Sequence, residues 1–150
     1  MKVIVISGAS SKVGKTTLAL GLRNLLEGAV AVKIGHGKRR DDLRNHFYEA
    51  GTPFHIIRES HPDARWLIVE SNSILREIQP DLTIYLEGDN PKPSAEYAKS
   101  RADIVSGRRL NKETIAALAT RLEIPVDLMQ EIARLARAEY DSPSAGNGGT

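Results

Sequence analysis

The chain has 150 residues, a length that suits one domain around one core. Its 41% hydrophobic and 27% charged content is that of an ordinary globular protein, and no apolar run nears the roughly 20 residues of a membrane span. A formal charge of +2 is too small to argue for a nucleic-acid partner, and zero cysteines exclude disulfides, thiolate metal sites and a cysteine nucleophile. The opening Met1-Lys2 leads straight into an apolar strand pattern without a signal-peptide core, so a cytoplasmic location away from membranes is expected.

Residues 3–6 (VIVI) form an unbroken apolar run, the pattern of a strand buried on both faces. The stretch 8–17 (GASSKVGKTT) follows. From Ala9 it reads A-x-x-x-x-G-K-T, the phosphate-binding P-loop, and Gly8 stands one residue too early to open the motif. Leu18, Leu22, Leu25 and Leu26 then recur at helical spacing, with Gly28 placed to stop the helix. Strand before and helix after are the context the motif requires. The expected ligand contacts come from Ala9, Ser10, Ser11, Lys12, Val13, Gly14, Lys15, Thr16 and Thr17, whose backbone N–H groups make an anion nest at a helix N-terminus. Lys15 would reach the β- and γ-phosphates and the Thr16 hydroxyl would ligate Mg²⁺, so a nucleoside triphosphate, GTP or ATP, is implied.

Residues 29–34 (AVAVKI) predict a second strand and 35–42 (GHGKRRDD) a charged loop. Two glycines flank His36 and permit close backbone approach, while Lys38, Arg39 and Arg40 suit an anionic partner such as a phosphate-bearing cofactor. The alternative is a solvated loop balanced by Asp41 and Asp42. Leu43, Phe47 and Ala50, at i, i+4 and i+7, predict a short helix stopped by 51–53 (GTP), and 54–57 (FHII) a short strand. The run 65–70 (RWLIVE) is the next strand, after which Ser71, Asn72 and Ser73 offer N-caps for a short helix ending near Pro80. Residues 82–86 (LTIYL) and 102–105 (ADIV) predict two more strands. Asn111 can cap a helix whose core face is Ile115, Leu118, Ala119 and Leu122. Residues 124–126 (IPV) predict an edge strand, and Leu128, Ile132, Leu135 and Ala136 a closing helix. Strands alternating with helices, each strand nearly uniform in apolar character, predict an α/β fold of P-loop NTPase type, a mostly parallel sheet with helices on both faces. The nucleotide-binding domain is expected over 1–138. Residues 139–150 are expected to be a disordered tail, since 142–150 (SPSAGNGGT) has nothing able to pack.

A Mg²⁺-dependent site of this kind needs an acid at the end of a buried strand. Glu70, after 66–69 (WLIV), competes with Glu87, after 83–86 (TIYL). The more uniformly apolar run suits a central strand beside the P-loop strand, which favours Glu70 as metal and catalytic partner of Thr16 and Lys15. Glu87 enters a solvated turn with Gly88, Asp89 and Asn90. Neither strand carries a paired Asp-Glu, so fast hydrolysis is not implied. His36 has no second His or Cys at ligand spacing, and His46, His55 and His61 read as structural or surface groups. Lys12 lies three before Lys15, and the position five before is Ser10, so a second, intermolecular lysine is not supported. Asn111-Lys112 lacks the Asp of a guanine-reading N-K-x-D, since position 114 is Thr, and guanine against adenine stays open.

With these residues placed, the chain resembles the small P-loop GTPase-like protein B of molybdopterin-guanine dinucleotide biosynthesis. The resemblance runs along most of 2–136 and is strongest at the P-loop. It includes Lys33 and His36 after the second strand, the strand ending in Glu70, the Pro80-initiated strand and the closing 124–136 segment. Two departures are that Ile34-Gly35 splits the family's Lys-His pair and that Ser71 replaces the glycine after the acid. The resemblance implies a GTP-binding homodimer that assists molybdenum cofactor maturation with a cofactor-synthesis protein, using Lys15, Thr16 and Glu70. Three functions are compatible with these residues: a slow NTPase accessory factor, a small-molecule kinase, and a nucleotide-regulated binding module without turnover. A kinase would draft Arg39, Arg40 and Asp42, but no long lid insertion is present.

Overall fold

A computed structural model describes residues 1–10, 12–36 and 46–140. In chain order these form β1 (Lys2–Gly8), α1 (Lys15–Leu25), β2 (Ala29–Gly35), β3 (Phe47–Glu49), α2 (Phe54–Glu59) and β4 (Trp66–Glu70). A single 3-10 turn (Ser73–Arg76) precedes β5 (Leu82–Leu86), α3 (Ala95–Ser100), β6 (Ile104–Val105), β7 (Arg109–Leu110), α4 (Lys112–Leu122), α5 (Val126–Leu135) and β8 (Glu139–Tyr140). Among the described residues, six strands make one sheet in the order β3-β2-β4-β1-β5-β6, and every pairing in it is parallel. The expected α/β architecture is therefore present, with β1 flanked by β4 and β5.

Alternation along each strand explains the two layers of core. In β1, Ile4 and Ile6 join α1, α4 and α5 in one cluster, whereas Val3 and Val5 join α2, α3 and the 3-10 turn in the other. Helices thus cover both faces. The same period of two sends Glu70 to the side of Ile68, the side that α1 covers. The register sets Glu70 beside Ile6 on β1 and beside Lys33 on β2, so the strands' carboxyl ends come level.

Several local expectations change. Phe47 and Ala50 do not belong to a helix: β2 has a free edge, and 46–50 pair with it, Lys33 N–H donating to His46 O and Ala50 N–H to Gly35 O, each at 2.9 Å. Leu43 of that expected helix lies outside the described residues. Residues 54–57 open α2 rather than a strand, because Phe54 and Ile57 are buried at i, i+3 while His55 and Ile56 stay exposed. Residues 124–126 make no strand. Glu123 ends α4 in a left-handed conformation (φ 58) and Pro125 caps α5, where its missing N–H costs nothing. The helix foreseen after Ser71 is only the 3-10 turn, and the core stripe of α5 centres on Met129, Ile132 and Ala133. Glu139 and Tyr140, assigned to the tail, form β8 against β7; residues 141–150 lie outside the described residues. No helix of the described residues is long and apolar enough to cross a membrane.

Candidate functional site

β1 ends at Gly8, and after a turn α1 opens at Lys15. Two glycines allow that turn. Gly14 takes φ +95, a left-handed conformation, and a Cβ on Gly8 would stand 2.7 Å from Val13 Cγ2. Neighbouring strands' ends hold the start of the loop. Gly8 N–H donates to Asn72 Oδ1 and Gly8 O accepts from Asn72 Nδ2, both at 2.9 Å. Ala9 N–H donates to Leu86 O at 3.0 Å, and Ala9 O accepts from Lys92 N–H at 2.8 Å. Asn72 therefore does not cap a helix; its amide zips to the backbone of Gly8.

Glu70 is 3% exposed, and a carboxylate buried to that degree needs partners. The Thr16 hydroxyl, one residue into α1, donates to it, with Oγ1 at 3.0 Å from Oε1 and 2.9 Å from Oε2. Lys33 Nζ lies 3.5 Å from Oε1. Lys15 is half-buried at the same end of the sheet. Burial pushes its pKa below the ordinary 10.5, nearby Lys92 and Lys33 push the same way, and Glu70 opposes them. Lys15 is the first residue of α1.

Two clefts open here. One, of about 410 Å³, is lined by Lys15, Lys33, His36, Glu70, Ser73 and Lys92 among others. The second, of about 550 Å³, has Ser10, Lys12, Val13, Glu87, Asn90 and Arg137 in its wall. The expected site residues are thereby split between two surfaces. Lys15, His36 and Glu70 share the first and Ser10, Lys12 and Val13 the second, while Ala9 is buried and Thr17 exposed. Ser11 and the cations of 38–40 lie outside the described residues. Glu87 is exposed, its carboxylate 2.9 Å from Lys99 Nζ. His61 accepts or donates at 2.9 Å to the Tyr48 hydroxyl and meets His46 edge-on, with its pKa lowered by burial and then by His46. Asn111 caps α4, its Oδ1 accepting from Thr114 N–H at 2.8 Å.

Sequence reasoning offered Asn72 as a helix cap rather than a tether of the loop, and did not single out Lys92 or Arg137. Asn72 was signalled only by its place after a strand end, and the other two by nothing local. As for a metal, Thr16 Oγ1 and the Glu70 carboxylate are hard oxygen donors. Among the described residues no group of three or more His, Cys, Asp and Glu could cage an ion. That donor set fits Mg²⁺, which takes one or two protein oxygens and completes its shell with water and phosphate. Compared with protein-family models, with curated proteins and with solved structures, the chain matches none.

Proposed function

We propose that this chain binds a nucleoside triphosphate with Mg²⁺ along 9–17 and hydrolyses it slowly, as an accessory GTPase in molybdenum cofactor biosynthesis. The observation that carries the triphosphate reading is the contact of the Thr16 hydroxyl with both oxygens of the buried Glu70. A buried carboxylate at a strand end, against a hydroxyl at the start of the helix that follows a glycine-bearing loop, is what a metal-bridged phosphate site requires. The choice of GTP, the pathway and the homodimer rest on the family resemblance alone.

In this reading the Lys15 ammonium binds the terminal phosphates, and phosphate in turn favours its charged form. Thr16 and Glu70 would hold the Mg²⁺, which when bound neutralises charge on the phosphate oxygens. Glu70 would also orient water on that side. Among the described residues no second acid joins it, since Glu87 pairs with Lys99 instead, in keeping with slow turnover. A second reading, phosphoryl transfer to a small anionic acceptor such as a phosphate-bearing cofactor, is favoured by the first cleft. There Lys33, His36 and Lys92 surround space beside Lys15.

The test is calorimetric titration of MgGTP and MgATP into the wild-type chain and Lys15→Ala. A charge-assisted hydrogen bond is worth about 1.5–3 kcal/mol, so the variant should lose about tenfold or more in affinity. Its melting temperature should hold, because the lysine removed is one whose charged form burial disfavours. Wild-type affinity in Lys15→Ala would sink the triphosphate reading. Product analysis separates the rest: free phosphate supports the NTPase, a phosphorylated acceptor the kinase, and neither a binding module.

A further inference from the structure

The C-terminal end of α5 closes in a doubly bonded turn: Ala138 N–H donates to Ala133 O and Arg137 N–H to Arg134 O, both at 3.0 Å. Such a closure puts the residue after the helix cap in the left-handed region, where glycine is the ordinary occupant. Arg137 occupies it, with φ 61. Glu123 takes the same conformation at the end of α4, so what sets Arg137 apart is the contact its side chain makes with the loop. Its guanidinium Nη2 donates to the carbonyl of Val13 at 2.7 Å, across 124 residues of sequence. The Arg137 carbonyl is itself tied down, accepting from Gly107 N–H at 2.9 Å. Nη2 also stands 3.8 Å from where a Cβ of Gly14 would lie.

The peptide joining Val13 to Gly14 is trans, since the described chain has no cis bond. In a planar trans peptide the carbonyl and the following N–H point to opposite sides. Gly14, with nothing on its α-carbon and φ +95, leaves that plane easy to rotate. A guanidinium that captures the Val13 carbonyl fixes the rotation and presents the Gly14 N–H away from Arg137. We propose that Arg137 is a positioning residue for the triphosphate. By clamping the peptide between Val13 and Gly14 it sets the Gly14 N–H in place as a phosphate donor, and its charge polarises that N–H. The inference rests on the triphosphate reading and names a residue which the loop motif does not contain.

The experiment compares the full chain with Arg137→Gly and Arg137→Lys, by melting and by titration with MgGTP and MgATP. Arg137→Gly relieves the left-handed strain, so it should melt at the same or a higher temperature. It should nonetheless bind the triphosphate about tenfold or more weakly, the worth of one charge-assisted hydrogen bond. Arg137→Lys, which keeps a cationic donor, should recover part of the affinity. Unchanged affinity in Arg137→Gly overturns the inference, as does a parallel fall of affinity and melting temperature, which would make Arg137 a structural prop. If the wild type binds neither nucleotide, the triphosphate reading fails and this inference with it. Wild-type binding with indifferent variants sinks this inference alone.

Discussion

Glu70 ends β4 and Glu87 follows β5, the two strands that flank β1, yet one is 3% exposed against Thr16 and Lys33 and the other lies in solvent against Lys99. Glu70→Gln keeps the shape and removes the charge that would face Mg²⁺. Triphosphate should still bind through the loop and Lys15, while the gain in affinity that Mg²⁺ provides shrinks, and turnover with it. Glu87→Gln should leave both unchanged, because an exposed ion pair is worth little. Titrations with Mg²⁺ and with chelator read the difference, and a loss confined to Glu87→Gln would reverse the assignment. Lys15 adds a pH dependence with a definite sign. Its pKa in the free protein lies below 10.5, chiefly through burial, and a bound phosphate would raise it again. Binding therefore takes up protons in the window between the two values, and affinity falls as pH rises through the lowered one. Below both values the lysine is charged in either state and contributes no slope. Lys15→Arg, always charged, should flatten that profile; an equally steep profile in Lys15→Arg would assign the titration to another group.

The loop between β1 and α1 is an element with its own packing. Val13 fills the gap between Gly8 and Gly88: a methyl on Gly8 would approach its Cγ2 to 2.7 Å, and one on Gly88 would collide with its Cγ1. Val13 is β-branched and stiff, so making room for either methyl requires it to leave its rotamer or the backbone to shift. Gly88→Ala should cost about 1–3 kcal/mol, the usual range for overpacking, and weaken triphosphate binding by displacing the loop. Denaturant unfolding and titration of the same variant check both parts. Wild-type stability would mean that the β5–α3 turn gives way instead.

At the scale of the whole molecule, the sheet brings the loop, Glu70 and Lys33 to one end, but the cleft beside Lys15 remains open. The family resemblance, which implies a dimer, leads us to expect a homodimer once nucleotide and Mg²⁺ are present. Sedimentation with and without MgGTP measures it. A monomer under both conditions removes the dimer.

Chemistry that depends on neighbours in sequence was legible without coordinates. Mainly apolar runs marked β1, β4 and β5, since a strand buried on both faces is largely apolar, and the pairing of Thr16 with Glu70 could be foreseen from a motif and a strand end. Short segments were misread because their state is set by what they pack against. Phe47 became a strand residue because β2 had an edge to fill, and 54–57 a helix because only Phe54 and Ile57 met the core. Asn72 and Arg137 lie 64 and 124 residues from the loop atoms they bind, and no local pattern records contacts of that span. The sequence by itself determined the layer architecture and the loop. Only the tertiary structure decided which distant side chains hold that loop in shape, because those bonds exist only after the sheet has aligned its strand ends.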